Sequence, residues 1–491
     1  LGEKGDASFA AHFLGGEKEE YDAFNSDENI DGNATAWNAM FALADAGIYS
    51  DAAYTNLSQY LNIPNFIDYL LMNFYAANTD WPHHNWNAAR RRVPGAGFHF
   101  FSWDAEWTFY IGSDPTTDRT GVSDGSPGRL YAALRSHAEF RRLFGDHAQR
   151  HLFHGGALTP AAAEARWMRR ADEINRAIVP ETARWGYGHT RNTWLNEQAR
   201  VRSSWFPTRT ATLLNQLRNA GLYPQLQAPV LAPFGGLVPP GYSLVLSNPN
   251  PAGALYFTTS GGDPRQWGGG VAPGAQLYSS PLTLTNATAL RVRVREGTNW
   301  SALVEATYYV VQDFSGLALT EIMYNPPAFA PWSGEDLEFL ELKNTGTNAL
   351  DLSGVSFSAG IDFAFTNGTR LAPGAFFVLA RNPAAFTAKY PGVPVSGIYS
   401  NRLDNGGEKL ALSHLLGVNV LSVTYDNNPP WPITPDGLGF SLVRAGLAGD
   451  PDAPASWRAS TNPGGSPGAD DPPSSLPLVV INEVLTRTVP P

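Results

Sequence analysis

The chain has 491 residues and no cysteine; the length predicts about three or four domains, and disulfides, thiolate metal sites and a cysteine nucleophile are excluded. A net charge of -11 supplies no basic face to displace counterions, so no nucleic-acid partner is expected. Hydrophobic residues at 43% and aromatics at 12% can fill several cores, whereas 16% charged residues with 48 Gly and 38 Pro favour short strands and loops.

Helical periodicity runs to about Tyr223. Pro64 fits a first helical turn, where its missing N–H costs nothing. Ile67, Leu70, Leu71, Phe74 and Tyr75 then recur at i, i+3, i+4, i+7 and i+8, one buried stripe. Further helices are predicted near 161–177 and 210–220. Upstream, Asp27-x-Asn29-x-Asp31-Gly32 begins like an EF-hand calcium loop, but its twelfth position is Asn38 where a bidentate Glu is needed, so a solvated Asx-rich loop is expected. No apolar run reaches the roughly 18 residues of a membrane span, so none is predicted.

The segment after the strong helix, Asn78-Thr-Asp80-Trp-Pro-His83-His84-Asn85-Trp86-Asn87, crowds an acid, two imidazoles and several amides into a short loop. A hairpin from Arg90 then returns to Trp103-Asp104-Ala-Glu106. A helix, a loop carrying Asp80 and Asn85, and a hairpin leading to Asp104 form the layout of a kinase catalytic lobe. There the first Asp orients or deprotonates the hydroxyl nucleophile, while the Asn and the second Asp hold Mg²⁺, which requires hard oxygen ligands. The same residues would also serve as turn formers (Asp80, Asn85) and a helix cap (Asp104). His83 and His84 can assist substrate or metal; adjacent in an extended loop, they point to opposite sides, so at most one is expected to do so. Arg90–Arg92 either steer phosphates or line an exposed hairpin edge, and Trp81, Trp86 and Trp103 read as core.

From Ala228 to Val310 the pattern changes to period-2 strands separated by Gly, Pro and Asn turns, which predicts a small β-sandwich over 224–312. The block 313–470 repeats that texture, with Glu338-Phe-Leu-Glu-Leu-Lys343 and Phe376-Phe-Val-Leu-Ala380 as strands. Residues 471–477 read as a linker. Residues 478–491 then echo Leu317-Ala-Leu-Thr-Glu-Ile-Met-Tyr, the start of a second copy. Leu1 lies in an already running polar segment with no initiator Met or signal peptide, so the chain reads as a fragment.

Asn78-Thr-Asp-Trp-x-x-His-Asn-Trp followed by Phe-Phe-Ser-Trp-Asp-Ala-Glu resembles the core signature of the spore-coat-protein-H (CotH) kinase family, and the likeness continues to Phe206-Pro-x-Arg209. It implies that 1–223 is the α-rich C-lobe of an atypical protein kinase lacking its N-lobe, secreted, and using ATP with Mg²⁺ or Mn²⁺. Carried over, Asp80 is the catalytic acid and Asn85 and Asp104 are metal ligands. Glu106, standing where the family often has Asp, is a further ligand; His84 and Arg90, from their own chemistry and not from the resemblance, are expected as substrate or phosphate contacts. Leu255-Tyr-Phe-Thr-Thr-Ser-Gly-Gly-Asp263-Pro-Arg resembles the chitobiase/hexosaminidase C-terminal-type sandwich. The motifs from Leu319-Thr-Glu-Ile-Met-Tyr-Asn-Pro through Leu350-Asp-Leu-Ser-Gly, Leu371-Ala-Pro-Gly and Ser456-Trp resemble a lamin-tail domain, an immunoglobulin-like sandwich. Glu321, Glu338 and Glu341 there read as edge or turn partners rather than catalysts.

The expected protein is therefore multidomain, a kinase-like lobe followed by two all-β immunoglobulin-like domains, extracellular or at the cell surface. It would phosphorylate protein hydroxyls when full-length, the present fragment being too incomplete to grip ATP. Its β-domains would contact surface or extracellular polymers. The alternative is a non-catalytic adhesion or scaffold protein with an inert kinase-like region; a glycan-degrading enzyme lacks a carboxylate pair that could be placed across a sugar.

Overall fold

Asp6 opens the first helix, α1 (Ala7–Leu14), by accepting the N–H groups of Ser8 and Phe9 at 3.0 and 3.1 Å. A β-hairpin follows, β1 (Tyr21–Asn25) and β2 (Glu28–Asp31), turning at Ser26 and Asp27, both with positive φ. This corrects the expectation of a solvated loop over Asp27–Gly32. The run 28–31 is solvent-facing, Glu28 and Asn29 being exposed, but it pairs with β1, whose own strand pattern is hidden because both its faces are covered. Tyr21 and Ala23 pack with Ala7 and Ala10 of α1, and Phe24 stacks on Trp37 at 4.3 Å. With both faces buried, no in/out alternation shows.

Helices α2 (Thr35–Asp45) and α3 (Asp51–Ser58) lead to α4 (Ile63–Tyr75), capped by the Asn62 side chain, with Pro64 in its first turn. The predicted stripe of Ile67, Leu70, Leu71, Phe74 and Tyr75 is buried throughout. Strands β3 (Trp86–Arg91) and β4 (His99–Ser102) form the expected hairpin and extend the sheet in the order β2-β1-β3-β4. The helices α5 (Gly125–Leu134), α6 (Ala138–Leu152), α7 (Pro160–Ile174), α8 (Ile178–Trp185), α9 (Arg191–Arg200) and α10 (Phe206–Asn219) complete the region. Helices α4, α6 and α10 bury a shared aromatic core that includes Phe74, Phe140, Phe144 and Leu213.

The structure is a computed structural model and describes residues 5–186 and 188–473. The expected second repeat at 478–491 lies outside these residues, as does the linker beyond residue 473. The described residues divide into two compact units: one within Leu1–Phe234, Leu244–Pro281 and Ala289–Ala306, the other within Gly235–Ser243, Leu282–Thr288 and Thr307–Pro491. Residues 224–312 form strands, as their alternation predicts, but are shared between the units instead of forming one of their own.

The second unit is a β-sandwich. Strands Leu317–Met323, Phe339–Asn344, Phe376–Ala380 and Leu442–Arg444 belong to a six-stranded sheet; Val355–Ala359, Lys409–His414 and Asn419–Thr424 form a three-stranded one. Leu319, Leu340, Leu342 and Leu379 from the first meet Val355, Leu410, Leu412 and Val423 from the second in one core. No helix among the described residues is long and apolar enough to cross a membrane.

Candidate functional site

Past the end of α4 the chain is held by a relay of amides. Asn73 donates to the Tyr69 carbonyl at 2.9 Å and accepts from Asn78 at 2.9 Å; the Asn78 oxygen in turn accepts the Asp80 N–H at 3.0 Å. Asn73 and Asn78 are both buried, so these bonds replace lost hydration and fix the path of the loop. The Trp81 indole donates to the Tyr69 hydroxyl and that of Trp86 to the Pro82 carbonyl. Both rings are core, as expected. Asp80 thus emerges from a rigid base with its side chain 22% exposed, accessible yet restrained.

The Asn85 amide donates to Asp80 Oδ2 at 2.8 Å. His84 Nε2 lies 2.7 Å from Asp80 Oδ1, and His83 Nε2 lies 3.8 Å from the same oxygen. The expectation that only one histidine would face the site is therefore corrected. The loop is tightly turned, not extended, and the two rings meet edge to face at 4.2 Å, both against Asp80. His83 Nδ1 also lies 3.8 Å from Asp124.

The returning strand brings the second acid alongside. Trp86 pairs with Ser102 across the hairpin, and the Trp103 N–H donates to the Asn85 carbonyl at 3.1 Å. Asp104 follows directly. Asn85 and Asp104 both adopt positive φ, 64° and 44°, a conformation that Asn and Asp tolerate better than most residues and that concentrates at functional sites. Asp104 and Glu106 are exposed, and neither joins the close group formed by Asp80, His83 and His84.

Arg90 is already engaged. It donates to the Ala96 carbonyl at 2.8 Å and lies 3.9 Å from buried Asp22, while Arg91 pairs with Glu20 and Arg92 with Asp22. The three arginines clamp β3 to the β1 segment, which leaves little of them for a phosphate.

Two features escaped the sequence reading. A cavity of about 860 Å³, lined among others by Asn78, Ala105, Phe109, Trp167, Trp194 and Phe206, adjoins the loop. Asp68 of α4 meets His147 and His151 of α6. The His-x-x-x-His spacing was visible, but its carboxylate partner comes from a distant helix. In the second unit, Glu321, Glu338 and Glu341 are buried rather than at an edge. They accept backbone N–H groups of Ser466, Leu403 and Gly468 respectively, so they anchor loops.

These features define a multidomain protein with a helical N-terminal region and a β-sandwich C-terminal region. Residues 4–213 match the family model described as CotH kinase protein, and residues 311–427 match that of the Lamin Tail Domain. Comparison with curated proteins gives no match. Among solved structures, a DUF4876 family protein from Bacteroides thetaiotaomicron is 10% identical over 47% of this chain and 92% of its own, with a TM-score of 0.21. The protocadherin gammaB7 EC3-6 cis-dimer is 12% identical over 40% of this chain and 45% of its own, with a TM-score of 0.12. Scores that low carry no argument about fold or function.

Proposed function

We propose that the helical region belongs to a CotH-type protein kinase, extracellular or at the cell surface, transferring the γ-phosphoryl group of ATP to protein hydroxyls. The observation that supports this most is the Asp80 carboxylate, held by Asn85 and His84 in a loop whose Asn85 carbonyl accepts the N–H of Trp103, the residue before Asp104. In the proposed reaction the acceptor oxygen bonds to the γ-phosphorus and the bond to the bridging oxygen of ADP breaks. The hydroxyl proton passes to Asp80. Asn85 and His84 keep that carboxylate from rotating away.

The donor set suits a hard divalent cation, Mg²⁺ or Mn²⁺. The Asn85 amide nitrogen is committed to Asp80, which turns its oxygen toward a different partner, and the Asp104 and Glu106 carboxylates are free in solvent. Such a cation, bound with ATP, supplies neutralisation of phosphate charge. His84 is the side chain placed to touch the acceptor, and the neighbouring apolar cavity gives the acceptor segment a seat.

The test is transfer of labelled phosphate from ATP to a protein acceptor, by the chain with its full N-terminal sequence. Asp80→Asn is expected to lower the rate by ~10²–10⁴-fold without changing the circular dichroism spectrum. Transfer that survives Asp104→Ala would remove the metal assignment.

A second reading, a non-catalytic adhesion or scaffold protein, is favoured by the lamin-tail match over residues 311–427, which falls on the β-sandwich. Absence of transfer by the longer chain selects this reading. In either case the β-regions, including the chitobiase-type segment, are proposed to contact surface or extracellular polymers.

A further inference from the structure

The group Asp68, His147 and His151 shares no residue with the Asp80 loop and takes no part in the proposed transfer. His147 and His151 are one helical turn apart on α6, so their side chains share a face. Asp68 projects from α4 against that face. His147 Nδ1 lies 2.6 Å and His151 Nε2 2.9 Å from the same atom, Asp68 Oδ1. The three ligand atoms fall within 4.8 Å of one another.

We infer that Asp68, His147 and His151 form a transition-metal site, with Zn²⁺ the best-suited ion, that ties α4 to α6. Two imidazole nitrogens and one carboxylate oxygen are a donor set that Zn²⁺ accepts, with ligand bonds near 2.0–2.2 Å. Around a tetrahedral ion such ligands stand about 3.3 Å apart. The observed 2.6 and 2.9 Å separations need to open by about 0.7 and 0.4 Å to reach that spacing.

That opening is available because Asp68 is 43% exposed and can swing, whereas His147 is only 6% exposed and fixed. The exposure of Asp68 and His151 leaves a fourth position open to solvent. The backbone of α6 is itself held, since Asp146, next to His147, accepts two hydrogen bonds from buried Arg293 at 2.7 Å. The site borders the loop of Asp80 through α4, because Tyr69, adjacent to Asp68, accepts the Trp81 indole N–H.

The inference is independent of the phosphotransfer reading and is tested without activity. The full chain is stripped with chelator, loaded with ZnCl₂, desalted and assayed for metal by mass spectrometry, with thermal unfolding followed in parallel. The site predicts that Asp68→Asn and His151→Ala each lower the bound zinc by one equivalent per chain and abolish the zinc-dependent rise in Tm. Asp68→Asn keeps the shape of the side chain, so it decides the matter should His151→Ala fold poorly. Zinc content equal in wild type and Asp68→Asn, or lost only with His84→Ala, overturns the proposal; the three residues are then an ion-paired helix clamp.

Discussion

Arg209 is fully buried and hydrogen-bonds to no acid; its guanidinium donates to the carbonyls of Tyr75 at 2.9 Å, Pro115 at 2.7 Å and Phe74. Two of these are carbonyls of the last turn of α4, where the helix dipole favours a cation. Burial pulls the arginine down to about 10, which leaves it charged at neutral pH. Arg209→Met should therefore lower stability by about 2–4 kcal/mol, because it strands buried carbonyls. Urea unfolding measures this, and Arg209→Lys should recover part of the loss, lacking the planar fork. The motif Phe206-Pro-x-Arg209 was legible as part of a resemblance, but its physical task was not. The partner carbonyls lie 134 and 135 residues away. Asp80 and Asn85 were legible because loop contacts between near neighbours follow from spacing. The paired histidines were misjudged because a turned loop does not alternate its side chains as an extended one does.

The strand Thr288–Glu296 places Arg291, Arg293 and Arg295 on one face, a pattern that marks that face as solvated. Arg293 is nevertheless completely buried. It makes bidentate pairs with Asp146 and Asp263, four contacts at 2.7 Å, and a fifth bond to the Ser301 carbonyl at 2.8 Å. Every donor of the fork is used, which is what makes a buried charge tolerable. Arg293→Ala leaves buried Asp146 and half-buried Asp263 with only Arg142 as a shared cation. It should cost about 3–5 kcal/mol, read as a fall in the denaturant midpoint of the helical unit, followed by its tryptophan fluorescence. A similar Arg293→Lys result would show that the bidentate geometry matters, and not the charge alone. The strand itself was legible from its period of two; its burial depended on α6, which periodicity within the strand does not encode.

The two compact units carry opposite electrostatic signatures. In the helical unit, burial pushes Glu139 up, but hydrogen bonds from Arg265 and Arg142 outweigh it and hold the carboxyl at about 2. In the sandwich, burial raises Glu321 to about 8 and Glu338 and Glu341 to about 7, with bonds from Ser441, Leu403 and Thr320 offsetting only part of the shift. The signs then differ. A depressed carboxyl contributes stability above its unfolded value of 4.5 that is lost as pH falls toward 2. A raised one leaves the fold most stable below 4.5, and stability declines as pH rises through 7 to 8. Calorimetry of the whole chain should show the sandwich transition moving to lower temperature between pH 4.5 and 8. Glu321→Gln should flatten part of that slope; an unchanged slope would mean that Glu321 is not a source of it.

The sequence by itself determined the local elements and the order of the candidate site. The α4 stripe, the β3–β4 hairpin, the strands of the sandwich and the Asp80–Asn85–Asp104 succession all rest on periods of 3.6 or 2 and on near-neighbour spacing, which the backbone geometry imposes on any chain. The tertiary structure alone decided which distant side chains share a point in space. Asp68 meets His147 across 79 residues and Arg293 meets Asp146 across 147. Those meetings depend on how whole faces pack, a property no local window contains.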